Sequence, residues 1–188
     1  MNNVFRVGPI GRPQRLAAVA VMAALTSIPM SASGSSTSKS WKNYFNDRWG
    51  ISVDYPTTLV VQPAPENGGG LGFKSVDGLV NMVVYGSFIL DGPDPTSDVQ
   101  RNDELNWIGS SGRVTYRVTK QTWFVSSGIT KDGRVFYERY ERKTPVSGIP
   151  YLAVLNITYP QRLKASWSAA AERMARSFEF VGCGAQGC

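Results

Sequence analysis

The chain has 188 residues, 20 basic and 14 acidic side chains, and a formal charge of +6 at neutral pH. It has no histidine, which excludes a Ser-His-Asp or Cys-His triad, a histidine general base and a histidine-ligated zinc within this chain. This length suits one domain plus a short processed segment.

The first thirty or so residues read as an export signal. Arg6, Arg12 and Arg15 form a basic stretch without an acid, an apolar run extends from Leu16 to Leu25, and Pro29 precedes the small residues Ser31, Ala32, Ser33 and Gly34. That order matches a cleavable signal peptide over residues 1–33. The rival, a membrane anchor, needs a longer and less alanine-rich run. Losing those three arginines lowers the formal charge of +6 to +3, an ordinary value for a soluble domain and no mark of a nucleic-acid binder. The polar segment at residues 34–40 reads as a linker, and residues 41–182 as a single domain.

From Trp41 onward the elements follow in order. Ile51, Val53 and Tyr55 alternate with Ser52 and Asp54, which predicts a half-buried strand ended by Pro56. Leu71–Ser75 and Leu79–Phe88 predict two strands joined at Asp77-Gly78. The second is apolar on both faces, as a central strand should be. Ser97 with Gln100 fits a capping box opening a helix that carries Val99, Leu105 and Ile108. Strands follow at 113–118, 123–128, 134–143 and 149–159, with Arg113, Thr115 and Arg117 assigned to one face of the first. Leu163, Trp167, Ala170, Ala171, Met174 and Phe178 recur at helical spacing and give a terminal helix one apolar stripe. The fold class is therefore α+β: a single antiparallel sheet of six or seven strands, with both helices docking apolar stripes on it.

Cys183 and Cys188, in the tail at residues 183–188, suit a disulfide around a short loop in an oxidising compartment. Free thiols, intermolecular pairing or a metal or redox pair remain alternatives, although two thiolates without histidine make a poor metal site.

Several segments resemble a known family. Asp54-Tyr55-Pro56, Asn67-Gly68-Gly69-Gly70, Phe73, Ser75 and Asp77-Gly78 resemble the opening of the Mog1/PsbP-like fold. Residues 123–128, Phe136-Tyr137-Glu138-Arg139, Tyr159-Pro160 and Arg176-Ser177-Phe178 are similar to exported bacterial proteins of that fold. The resemblance spans about residues 44–180. It implies an α/β/α sandwich and, since its known members bind other macromolecules, a binding role rather than catalysis.

No motif supplies a catalytic, cofactor or metal site. The glycine run before Lys74-Ser75 leads into a strand, so it lacks the helix N-terminus that a phosphate loop needs. Asp91, Asp94 and Asp98 do not have calcium-loop spacing. Asp103 and Glu104 point apart on a helix, Glu138 and Glu141 fall on opposite faces of a strand, and all four read as solvated. Arg113, Arg117 and Arg139, with Lys120 and Arg142 nearby, form a candidate patch for an anionic partner if their strands pair. The sequence thus points to a non-catalytic, periplasmic or secreted binding domain of the bacterial envelope with a protein or anionic partner. Its alternatives are a histidine-free hydrolase and a carrier of a small apolar ligand.

Overall fold

The structure, a computed structural model, describes residues 40–90, 95–145 and 148–182. Residues 1–33, read from the sequence as a signal peptide, lie outside the described residues, as do Asp91, Asp94, Cys183 and Cys188.

In chain order the elements are β1 (Trp41–Asn46), β2 (Ile51–Pro56), β3 (Leu59–Val61), β4 (Gly70–Ser75), β5 (Asn81–Phe88), α1 (Thr96–Ile108), β6 (Arg113–Thr119), β7 (Trp123–Ile129), β8 (Arg134–Lys143), β9 (Tyr151–Pro160), α2 (Lys164–Ser177) and β10 (Glu179–Phe180). Seven strands build the main sheet in the order β3-β4-β5-β9-β8-β7-β6, every pair antiparallel. Its hairpins sit where the turn residues placed them: Gly78 and Gly133 take φ of 68° and 79°, the left-handed region that glycine enters without strain. This is the α+β class expected from the sequence. To the main sheet the structure adds a smaller one, β1-β2-β10.

Side chains directly opposed across neighbouring strands share a face. Met82, Ile157 and Tyr137 therefore lie on one side of the main sheet, and Val83, Asn156, Glu138 and Ser126 on the other. The small sheet and α2 cover the first side. Tyr55 of β2 packs on Phe73 of β4 with ring centroids 4.6 Å apart, and Trp49 meets Phe88 edge-on at 5.0 Å. Gly86 is required there, since a Cβ would stand 2.3 Å from the Trp49 indole. α2 buries Trp167, Ala170, Ala171 and Met174 of the stripe read from the sequence, together with Ala175, and Phe178 follows into the core. Each large apolar side chain so buried contributes about 1.5–3 kcal/mol.

α1 covers the opposite side and corrects the sequence reading in two ways. Its buried residues are Thr96, Gln100 and Glu104, while Leu105 is 55% exposed. Its N-terminus has no side-chain cap. Thr96 instead donates its hydroxyl to the Gln121 carbonyl at 2.6 Å, tying the helix start to the β6–β7 turn. Gln100 is drawn inward and donates to the Val125 carbonyl and the Ser126 hydroxyl at 3.1 and 2.8 Å, so it is not available for a capping box. α1 packs over β6 and β7, whereas α2 packs on β2, β9 and β8. Each helix leaves part of its side of the sheet open.

Candidate functional site

The open strip beside α2 is a groove of about 460 Å³. β6, β7 and β8 form its floor, and the face of α2 that carries Lys164, Ser168, Ala171, Glu172, Ala175 and Arg176 forms its wall. The floor is apolar where Ile129, Val135 and Tyr137 line up, and burial pushes the Tyr137 phenol up to about 12. Exposed Tyr116 stands on the outer side.

A β-bulge decides which cations reach this groove. The β6–β7 register shifts between Val114 and Tyr116, so Arg113 opposes Ile129 while Arg117 opposes Ser126. Ile129 pairs onward with Val135 on the α2 side, and Ser126 with Glu138 on the α1 side. The extra residue of a bulge reverses the side-chain alternation beyond it. Arg113 and Arg117, assigned to one face by strict alternation, consequently lie on opposite faces.

Each of the three arginines singled out by the sequence has its own setting. Arg113 lines the groove and is exposed; its guanidinium makes no hydrogen bond or ion pair with the described residues. Arg117 leaves for the α1 side, where Nε donates to Glu104 Oε1 at 2.8 Å and a second nitrogen donates to Oε2. Arg139 also lines the groove, but it is committed to the Glu141 carboxylate and, at 2.9 Å, to the Ala175 carbonyl. Sequence reasoning missed Lys164, a second exposed cation, on the groove wall. Only the placement of α2 across the groove from β6 shows its relevance.

The α1 side holds a polar cluster instead. Asn156, Glu138, Ser126 and Arg117 form one cross-strand row, roofed by Gln100, Glu104 and Trp107. The Ser126 hydroxyl donates to Glu104 Oε1 at 2.6 Å, and the Trp107 indole N–H donates to Glu138 Oε2 at 2.9 Å. Trp107 also stacks on Phe136, centroids 5.4 Å apart. Glu104 and Glu138 are 2% and 3% exposed, which corrects the reading of both as solvated. Burial, reinforced by the charge of Asp103, raises the Glu138 carboxyl to about 8, and burial raises Asp103 as well. Tyr85 beside them is pushed up to about 12, chiefly by burial. The buried Oδ1 of Asn156 has no hydrogen-bond partner among the described residues. One signal for this cluster was present in the sequence: Glu138 has the strand parity of Phe136 and Tyr140, both core residues.

Among the described residues no three metal-ligating side chains converge, and no helix is long and apolar enough to cross a membrane.

Comparison with solved structures fixes the architecture. Cyanobacterial PsbP from Synechocystis sp. PCC 6803 superposes with a TM-score of 0.51 at 15% identity, covering 80% of this chain and 98% of that one. This is a Mog1/PsbP-like fold. LpqN of Mycobacterium tuberculosis, a protein involved in cell envelope biogenesis, matches with a TM-score of 0.51 at 15% identity over 76% of this chain and 86% of its own. The yeast Ran-binding protein Mog1p aligns at 16% identity over 77% of this chain and 97% of that one, with a TM-score of 0.46. No protein-family profile matches the chain, and no curated protein matches it. At these identities the likeness defines the fold.

Proposed function

We propose that the chain is an exported, non-catalytic accessory domain of the bacterial cell envelope that holds an anionic envelope component in the groove beside α2. The observation that carries this reading is the pairing of an open groove of about 460 Å³ with two exposed cations, Arg113 and Lys164, that have no acidic partner among the described residues. A concave site of this size with few convergent polar groups is the usual form of a ligand site. Export is supported by the signal-like residues 1–33, followed by the linker at 34–40 and the domain at 41–182. An envelope role is supported by the shared fold of LpqN, described as involved in cell envelope biogenesis. In an oxidised envelope Cys183 and Cys188 would be joined.

Two measurements test the reading. The intact mass of the protein recovered from cells should fit cleavage near residue 33 and two hydrogens fewer than the dithiol form. Affinity capture from crosslinked envelopes should enrich one component that high salt releases and that Arg113→Glu with Lys164→Glu fails to retain. Recovery of the same component by wild type and variant alike would remove the groove from the account.

One observation favours a second reading, a carboxylate-based hydrolase: the carboxyls of Glu138 and Asp103, both raised, lie within electrostatic reach of each other on the α1 side. Such shifts cluster at catalytic sites. Against it, Glu138 is enclosed by the helix and already accepts the Trp107 N–H. A hydrolytic activity abolished by Glu138→Gln would establish this reading over the first.

A further inference from the structure

Taking the groove beside α2 as the binding site, we infer that its occupant is an anionic amphiphile: an acid head, phosphate or carboxylate, on an apolar body. This rests on the reading above and goes further by naming what the ligand must carry besides charge.

The groove differs along its length. At one end lie Arg113, in cross-strand register with Ile129 and through it with Val135 and Tyr159, and Lys164, the first residue of α2. Neither cation is engaged by a described residue. The first turn of α2 has no acidic residue and no side-chain cap, so the positive end of the helix dipole reinforces the field there. The far end is neutralised. Arg176 pairs with Glu172 one helical turn away, and Arg139 is held by Glu141 and the Ala175 carbonyl. Uncompensated positive charge therefore sits at one end only.

Between the ends the lining is mostly apolar, interrupted by Ser127 and Ser168. Ile129, Val135 and Tyr137 form the floor, and Ala171 and Ala175 keep the helix wall low. A bare inorganic anion would satisfy the cations but leave this floor wet. A neutral apolar ligand would cover the floor but do nothing for the cations. An acid head at the Arg113–Lys164 end, with its body laid toward Ala175, meets both demands. Burying apolar ligand surface there adds a hydrophobic gain that a bare anion cannot have. The bulge at Thr115 is part of the device, because a regular strand would carry Arg113 to the other face.

The test is isothermal titration of the purified chain at low ionic strength with four probes, each below its micelle concentration. They are decyl phosphate, decyl maltoside, inorganic phosphate and a hexaglutamate peptide. Decyl phosphate should bind one to one and at least tenfold more tightly than the other three. Arg113→Glu with Lys164→Glu should weaken it tenfold or more, and so should Ser168→Phe, which fills the groove from an exposed position on the helix wall. Lys74→Glu, on the distant strand β4, should leave it unchanged. Unaltered melting temperatures would show that the variants fold.

The outcomes separate the two claims. Inorganic phosphate binding as tightly as decyl phosphate, and lost on charge reversal, would overturn the amphiphile while leaving an anionic groove. Preferential binding of hexaglutamate would also overturn it, in favour of an acidic protein partner. Equal binding of decyl phosphate and decyl maltoside, indifferent to charge reversal, would overturn both the amphiphile and the anionic groove, as would no binding of any probe.

Discussion

The two helices lie on opposite sides of one sheet and are held there by different physics. α2 presents Trp167, Met174 and three alanines to the small sheet and to β8 and β9. α1 presents Thr96, Gln100 and Glu104 to β6 and β7. Apolar burial is non-directional and indifferent to pH, so α2 is a fixed wall beside which a groove keeps its shape. The α1 interface is directional and titratable. Its strength depends on every polar group finding its partner and on the protonation of Glu138. The contrast explains why the groove lies beside α2 and why the perturbed carboxyls lie beneath α1.

The largest loss of stability is expected at α2. Met174 is fully buried, and Met174→Ala should cost about 3–4 kcal/mol by urea unfolding, with little change between pH 5 and 8.5. Next comes the ion pair under α1. Arg117→Ala leaves the buried Glu104 carboxylate without its bidentate partner and should cost about 2 kcal/mol, less than a fully buried pair because the guanidinium is half exposed. Hydrogen exchange in α1 should accelerate more than exchange in α2. An equal response in both helices would mean that the two interfaces are not independent.

Protonation sharpens the contrast further. Glu138 has a folded-state value of about 8, above the ordinary carboxylate range. Between about pH 4.5 and 8 the unfolded chain gives up a proton that the folded chain keeps, so this group's contribution falls as pH rises and levels off above 8. Glu138→Gln keeps an acceptor for Trp107 and removes the titration. It should match wild type near pH 4.5 and exceed it at pH 8.5 by about 2–5 kcal/mol, the upper figure corresponding to the whole window and the lower one to relaxation and water entry around the ionised carboxylate. The smallest effect is expected at Ser97: since α1 lacks a side-chain cap, Ser97→Ala should change stability by less than about 0.5 kcal/mol, against about 1 kcal/mol for a capping serine.

What was legible in the sequence follows the same division. The hairpin glycines, the alternation in β7 and β8 and the stripe on α2 carry their own period, and the fold class follows from them. α1 has no apolar stripe to read. Its polar face looks solvated until a partner surface supplies Ser126, Arg117 and the carbonyl of Val125. The bulge in β6 was likewise hidden, because Arg-Val-Thr-Tyr-Arg alternates well on paper and only the pairing with β7 reveals the extra residue. That one residue split the predicted arginine patch. Lys164 carried no local signal, since its role depends on two segments brought together across the sheet.

The most direct test of the groove is an amide shift map of the ¹⁵N-labelled chain titrated with decyl phosphate. Binding in the groove should give saturable shifts at Arg113, Ile129, Tyr137, Lys164, Ser168 and Ala171, with Gln100, Glu104 and Trp107 unmoved. Shifts centred on α1 and Glu138, with the α2 groove silent, would contradict it and move the binding site to the titratable side of the sheet.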